Sequence, residues 1–286
     1  MGLQAAVEQV FSVNGPLARS SAGFVCRQGQ VQMALEVART IEQGGALVVE
    51  AGTGIGKTFA YLVPALLSGK RILLSTATKA LQDQLFDRDI PLLMKALGST
   101  ARVAVLKGRS SYLCVQRLEW ALQQDGTPSE LQELARVDAW ARLTRTGDTS
   151  EIPQLEECSP LLDRITSTSD NCLGSQCPKV QQCHVNRARR EAMACDVVVI
   201  NHHLFFADWD VRESSDGRLL PTVDSVVFDE AHQLNDIGVP FFGRQMGSVA
   251  LQSLCKDWVA LGPRLALACP NWRALATQLA ASAADL

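Results

Sequence analysis

Glu50-Ala51-Gly52-Thr53-Gly54-Ile55-Gly56-Lys57-Thr58 decides how this chain is read, because it follows an apolar run, Ala46 to Val49, and precedes a helical pattern beginning near Phe59. Strand, glycine-rich loop and helix in that order form a phosphate-binding arrangement. Glycines 52, 54 and 56 let the backbone turn its N–H groups towards an anion, and the helix start offers unsatisfied amides to the same charge. Lys57 can reach the β- and γ-phosphates, and Thr58 can ligate magnesium. Ala51 stands where the strict G-x-x-x-x-G-K-[ST] pattern has glycine; alanine keeps the tight turn provided its φ is negative.

The 286 residues are 47% hydrophobic, enough for a substantial core in one large domain with insertions or in two domains. A formal net charge of −3 gives no bulk attraction to nucleic acid, so any contact with it must come from a local basic surface. There is no positively flanked apolar N-terminal segment and no apolar run approaching the ~18 residues of a membrane span, so the chain reads as cytoplasmic with no membrane partner. Nine cysteines, odd in number and clustered, make a poor disulfide set in a reducing compartment and point to a metal or cluster site.

Residues 1–23 mix Ala, Val, Ser and Gly with one proline and read as a loosely held arm. Phe24 to Met33 then leads into a helical pattern through Val37, Ala38 and Ile41 that ends at Gly44-Gly45. Gln30, just upstream of the phosphate loop, can donate one hydrogen bond to an adenine edge and accept another; taken alone, a solvated helix-start glutamine is the plainer reading.

Beyond the loop, Arg71 to Thr76 is a short apolar run ending in hydroxyls, and Lys79 to Leu85 opens a helix. Arg102 to Leu106, Asp196 to Ile200 and Asp224 to Phe228 are further runs without polar alternation, as expected for strands buried on both faces of a parallel sheet. The fold class is α/β. The last run ends in Asp229-Glu230-Ala231-His232. An aspartate at the C-terminal end of a buried strand, in a chain with a phosphate loop, is placed to hold magnesium, and Glu230 beside it to orient and deprotonate an attacking water.

Between the third and fourth strands the character changes: residues 107–186 carry Cys114, Cys158 and the run Cys172-x4-Cys177-x5-Cys183. Gly174 and Pro178 near those sulfurs suit a tight loop folded around a metal centre, and four thiolates can hold zinc or an iron–sulfur cluster.

Together these elements resemble the iron–sulfur-containing superfamily 2 DNA helicases of the XPD/DinG group, most closely the bacterial DinG-like branch, over nearly the whole chain. Arg27-x-x-Gln30 matches the family's adenine-reading motif, and Ala51 to Thr58 (Ala51, Gly52, Thr53, Gly54, Ile55, Gly56, Lys57, Thr58) matches motif I. Ser75 to Leu85 matches motif Ia, and Asp229 to His232 the DEAH form of motif II. Lys107 to Cys114 looks like the first cluster ligand with its basic lead-in, Asn171 to Cys183 like the segment giving three more, and Val197 to Phe205 like the family's N-H-x-L-[FL] stretch.

The resemblance implies an ATP-dependent DNA helicase of 5′→3′ polarity with ATP, Mg2+ and a [4Fe–4S] cluster as cofactors. Its catalytic residues would be Lys57, Asp229, Glu230 and His232, its magnesium ligands Thr58 and Asp229, and its cluster ligands Cys114, Cys172, Cys177 and Cys183, with Cys158 left over. The expected partners are single-stranded or forked DNA and replication or repair proteins, with a monomer favoured. Ser75, Thr76, Lys79 and Arg109 are expected on DNA phosphates. The implied organisation is an arm (1–23), a RecA-like domain in two parts (24–107 and 187–236), a cluster insertion (108–186) and the helical start of an arch domain (237–286). The family's second RecA-like domain, with its arginine finger, has no counterpart after His232, so the chain reads as the N-terminal part of a longer protein. A competing class is a nucleotide-switch ATPase with a zinc-bound protein-interaction module.

Overall fold

The structure, a computed structural model, describes residues 2–20, 25–52, 54–124, 126–156, 159–214, 217–243, 255 and 271–284. It divides into two units, Met1–Ile237 and Gly238–Leu286. In chain order the first contains helices α1 (Leu3–Phe11), α2 (Pro16–Ser20), α3 (Gln28–Gln43) and α4 (Lys57–Leu67), then strand β1 (Ile72–Thr76). Helices α5 (Lys79–Gln84) and α6 (Ile90–Leu97) lead to β2 (Val103–Val105), and α7 (Val115–Leu122), α8 (Pro128–Ala141), α9 (Leu161–Ile165) and α10 (His184–Met193) lead to β3 (Val197–Asn201). Helix α11 (His202–Ser214) connects β3 to β4 (Ser225–Phe228), and α12 (Leu234–Phe242) follows. Among the described residues of the second unit, Trp272–Ala284 forms a further helix. Leu251, Leu254, Trp258, Leu261, Leu265 and Leu267, expected in amphipathic helices, lie outside the described residues.

The strands form one parallel sheet in the order β2-β3-β1-β4. β1 and β3 are buried along their whole length, which is why they read as unbroken apolar runs. Alternation of side chains divides the core in two. Ile72, Leu74, Val197 and Val199 join α1, α3, α4 and α6 on one face, while Leu73, Val198 and Ile200 meet Leu106, Ala192, Leu204 and Leu220 on the other. Asn201 ends β3 and starts α11, its Oδ1 accepting from Leu204 N at 2.9 Å.

Two expectations are corrected. The first residues are not loosely held: Val7, Val10 and Phe11 of α1, spaced three and four apart, are buried in the main core. The apolar run Ala46 to Val49 is not a strand; it has no regular structure, and Val48 is 96% exposed. A strand needs a partner for its backbone groups. Among the described residues β4 pairs only with β1, and no strand pairs with residues 46–49.

The crossover from β2 to β3 carries its own apolar core, built from Leu113, Leu118, Ala121, Leu134, Val137, Ile152, Leu161 and Ile165. Thr127 and Glu130 cap α8 reciprocally, side chain to backbone at both ends of the first turn. Buried Lys107, at the root of this crossover, places Nζ 2.7 Å from Asp83 of α5 and 2.6 Å from Asp148. Lys107 was expected in a basic lead-in to the cysteines; instead its charge is spent joining the crossover to α5.

Candidate nucleotide site and cysteine cavity

Ligands of open parallel sheets sit beyond the carboxyl ends of the strands, and there the phosphate loop meets the acidic pair. Helix α4 starts at Lys57, two residues earlier than the sequence pattern suggests, with Gly56 as its N-cap at φ 86° and ψ 41°. Glycine is required at 56 twice over: the left-handed backbone disfavours a side chain, and a Cβ there would lie 2.2 Å from Gln30 Nε2. Ala51 is not among the positive-φ residues, so the departure from glycine is tolerated as expected. Thr53 lies outside the described residues.

Arg27 and Gln30 reach the loop itself. Gln30, 4% exposed, donates through Nε2 to the Gly56 carbonyl at 2.9 Å, and the Arg27 guanidinium donates to the carbonyl of Gly54. Gln30 is therefore no solvated helix-start residue. Its amide donor fixes the curvature of the glycine loop.

Lys57 Nζ lies 3.6 Å from Glu230 Oε1, and His232 Nδ1 lies 3.4 Å from Glu230 Oε2. Glu230 adopts the left-handed conformation at φ 55°, ψ 43°, which a residue with a Cβ seldom enters. Tyr61, one turn along α4 from Lys57, donates its hydroxyl to Asp229 Oδ2 at 3.2 Å. Burial pushes the Asp229 carboxyl above the usual aspartate range and the Glu230 charge adds to the rise, while the Tyr61 hydroxyl and Lys57 pull it back. Burial, with the nearby Asp229 charge, also holds the Tyr61 phenol well above its ordinary value. The structure thus brings together Lys57, Asp229 and Glu230, with Thr58 beside Lys57 at the start of α4.

Sequence reasoning missed Tyr61, although its signal is legible: it is a hydroxyl within an apolar helix, four residues after Lys57 and so on the same face. It also missed the role of His202, which is fully buried, with Nδ1 2.7 Å from Ser75 Oγ and Nε2 3.0 Å from the Asp229 carbonyl oxygen. Burial lowers the pKa of this imidazole and favours its neutral form. Ser75 and Thr76 are correspondingly buried, which corrects their expected place on DNA phosphates. Thr78 and Lys79, just beyond, are exposed.

The cysteines gather elsewhere in the crossover. Cys114, Cys172, Cys177 and Cys183 all line one cavity of about 340 Å³, together with Arg109 and Arg189. Cys114 and Cys183 are the N-cap residues of α7 and α10, so both stand at the positive ends of helices. Arg109 Nη1 donates to Cys172 Sγ at 2.7 Å, and the Gly174 amide donates to the same sulfur at 3.4 Å. Burial raises the Cys114 thiol pKa, against the pull of the Arg117 and Gln116 amides. Among the described residues no three His, Cys, Asp or Glu side chains are arranged to hold a single metal ion. Cys158 and Cys269 lie outside the described residues; Cys26 is exposed, and neither it nor Cys195 lines the cavity. No described helix is long and apolar enough to cross a membrane.

Residues 31–142 match the DEAD/DEAH box helicase family. The chain is 48% identical over 253 residues to the ATP-dependent DNA helicase YoaA of Haemophilus influenzae, covering 88% of this chain and 40% of that protein. It is 50% identical over 249 residues to the ATP-dependent DNA helicase YoaA of Escherichia coli, covering 86% and 39%. The ATP-dependent helicase DinG of Mycobacterium tuberculosis is 38% identical over 245 residues, covering 77% and 36%. The chain therefore spans about 40% of the length of the YoaA relatives it matches.

Proposed function

From the premise that this chain is a homologue of the YoaA and DinG ATP-dependent DNA helicases, we propose that it forms the nucleotide-binding part of an ATP-dependent DNA helicase acting on single-stranded or forked DNA. The observation that carries this reading is the convergence of Lys57, Asp229, Glu230 and Tyr61 at the carboxyl ends of β1 and β4. The loop amides of Gly52 to Gly56 and the start of α4 receive the phosphates, and Lys57 balances their charge. Thr58 and Asp229 hold magnesium, Glu230 orients the attacking water, and His232 supports Glu230. Arg27 and Gln30 hold the loop through its carbonyls, and by the family resemblance they also read the adenine.

Four cysteines that line one cavity supply the thiolate set that an iron–sulfur cluster takes. Cys114, Cys172, Cys177 and Cys183 are the residues that would hold a [4Fe–4S] group. That group supplies structural cross-linking of the crossover and reversible one-electron chemistry when bound. Residues 108–186 then act as a cluster insertion between the two parts of a RecA-like domain (24–107 and 187–236), and 237–286 as the start of an arch. Lys79 and Thr78, both exposed, are available to DNA phosphates, whereas Arg109, expected there, donates to Cys172 instead. The 5′→3′ polarity and the work in DNA repair follow the family resemblance.

In this reading the transition-state arginine and half of the cleft are supplied by a second RecA-like domain. Alone, residues 1–286 bind ATP weakly, hydrolyse it very slowly and separate no strands. The test is titration of single-stranded oligonucleotides into the chain with and without a magnesium–ATP analogue. The expected result is sequence-independent binding that weakens steeply with salt and responds to nucleotide. Binding indifferent to both, or robust unwinding by this chain alone, contradicts the proposal.

A further inference from the structure

Three hydrogen bonds form a closed ring at the carboxyl ends of β1, β3 and β4. The Asp229 amide donates to the Ser75 carbonyl at 2.8 Å, His202 Nε2 meets the Asp229 carbonyl at 3.0 Å, and His202 Nδ1 meets Ser75 Oγ at 2.7 Å. A carbonyl oxygen can only accept, so Nε2 carries the hydrogen; in the neutral ring Nδ1 is then the acceptor and the Ser75 hydroxyl the donor. Both His202 and Ser75 are buried, so water does not compete for these bonds.

The carbonyl that His202 holds belongs to the peptide joining Asp229 to Glu230. The next residue, Glu230, sits in the left-handed region at φ 55°, a conformation that persists only where its surroundings enforce it. Relaxing that residue swings its carboxylate away from Lys57. We propose that His202 is a positioning residue of the nucleotide site: it clamps the Asp229–Glu230 peptide and thereby keeps the magnesium-binding Asp229 in place as well as holding Glu230 in the strained conformation that faces Lys57. Ser75 orients the clamp, so the end of β1 and the acidic pair act as one rigid piece. This rests on the reading of Lys57, Asp229 and Glu230 as a magnesium–nucleotide site.

The experiment titrates a fluorescent ATP analogue, with and without magnesium, into the whole chain and into His202→Gln, His202→Asn and Lys57→Ala, alongside thermal melting. A glutamine amide reaches the position of Nε2 and can still donate to the Asp229 carbonyl, whereas asparagine reaches only the position of Nδ1 and keeps the Ser75 arm. A merely structural histidine would lower both variants together, in step with melting. The expected result is loss of magnesium-dependent affinity by about tenfold in His202→Asn and by less than about threefold in His202→Gln, at similar melting temperatures. Equal affinity in the two, or the reverse order, overturns the proposal. Ring 15N shifts of His202 test it without any substitution: hydrogen on Nε2 is expected, and hydrogen on Nδ1 alone overturns it. Lys57→Ala reports on the underlying site, since undiminished binding there removes the nucleotide reading and the clamp with it, whatever the His202 variants do.

Discussion

Lys57 Nζ stands 3.6 Å from Glu230 Oε1, and the two side chains are each 32% exposed. An ion pair this open is screened by water and contributes at most about 1 kcal/mol to folding. Its value lies in placement, because it joins the phosphate loop to the acidic pair before any nucleotide arrives. Glu230→Gln is therefore expected to shift the melting temperature by no more than a few degrees. It should leave magnesium–nucleotide binding near its original strength and slow single-turnover hydrolysis. Asp229→Asn should instead weaken the magnesium-dependent part of binding. Titrations showing the reverse pattern would exchange the two roles.

Lys107 gives a prediction about stability and pH. Burial acts to lower its pKa, but the hydrogen bonds to Asp148 and Asp83 outweigh it and hold the ammonium above its ordinary value. Removing the charge in Lys107→Met leaves two carboxylates facing each other. The cost is on the order of 2 kcal/mol, below that of a fully enclosed pair because the Asp83 side chain is 38% exposed. A raised lysine pKa contributes stability that is complete below the unfolded value and lost as pH rises through the folded one. Tyr112, whose hydroxyl accepts from the Lys107 amide, is pushed up to about 12 by burial and loses stability in the same direction. The crossover should therefore loosen between about pH 10 and 12, read by fluorescence of Trp120 and Trp140. Alkaline unfolding unchanged in Lys107→Met would contradict this.

The cysteine cavity predicts a pattern across single Cys→Ser variants purified without oxygen. Loss of Cys114, Cys172, Cys177 or Cys183 should release iron and loosen the crossover, because one group would tie the start of α7 to the start of α10. Cys26→Ser and Cys195→Ser should retain iron, since neither side chain lines the cavity. Cys158→Ser should also retain it, as the family resemblance leaves that residue out of the ligand set. Iron lost with Cys158 and kept without Cys114 would overturn the ligand assignment, and stoichiometric zinc in the unsubstituted chain would favour a nucleotide switch with an interaction module.

How much of this was legible in the sequence depended on whether a residue's partners were local. β1 and β3 were readable because burial on both faces makes each strand an apolar run, and the phosphate loop because its chemistry lies within one short stretch. Residues 46–49 misled for the opposite reason: a strand exists through its neighbour, and apolar composition does not supply one. Ser75 and Thr76 looked like surface hydroxyls. The bond that buries Ser75 comes from His202, far along the chain. Lys107 looked like a basic lead-in, and its partners Asp83 and Asp148 lie on either side of it in sequence, joined to it only by the fold. Tyr61 could have been found from helical spacing alone; the His202 clamp required the sheet order.

We propose that the loop at Gly52 to Thr58 and the acidic pair at Asp229 form one magnesium–nucleotide site. Calorimetric titration of magnesium–ATP into the unsubstituted chain and into Lys57→Ala tests this most directly, with circular dichroism to show that both are folded. Magnesium-dependent binding is expected to fall about tenfold or more, at least about 1.4 kcal/mol, in Lys57→Ala with the fold intact. Equal affinity in the two folded proteins would contradict it.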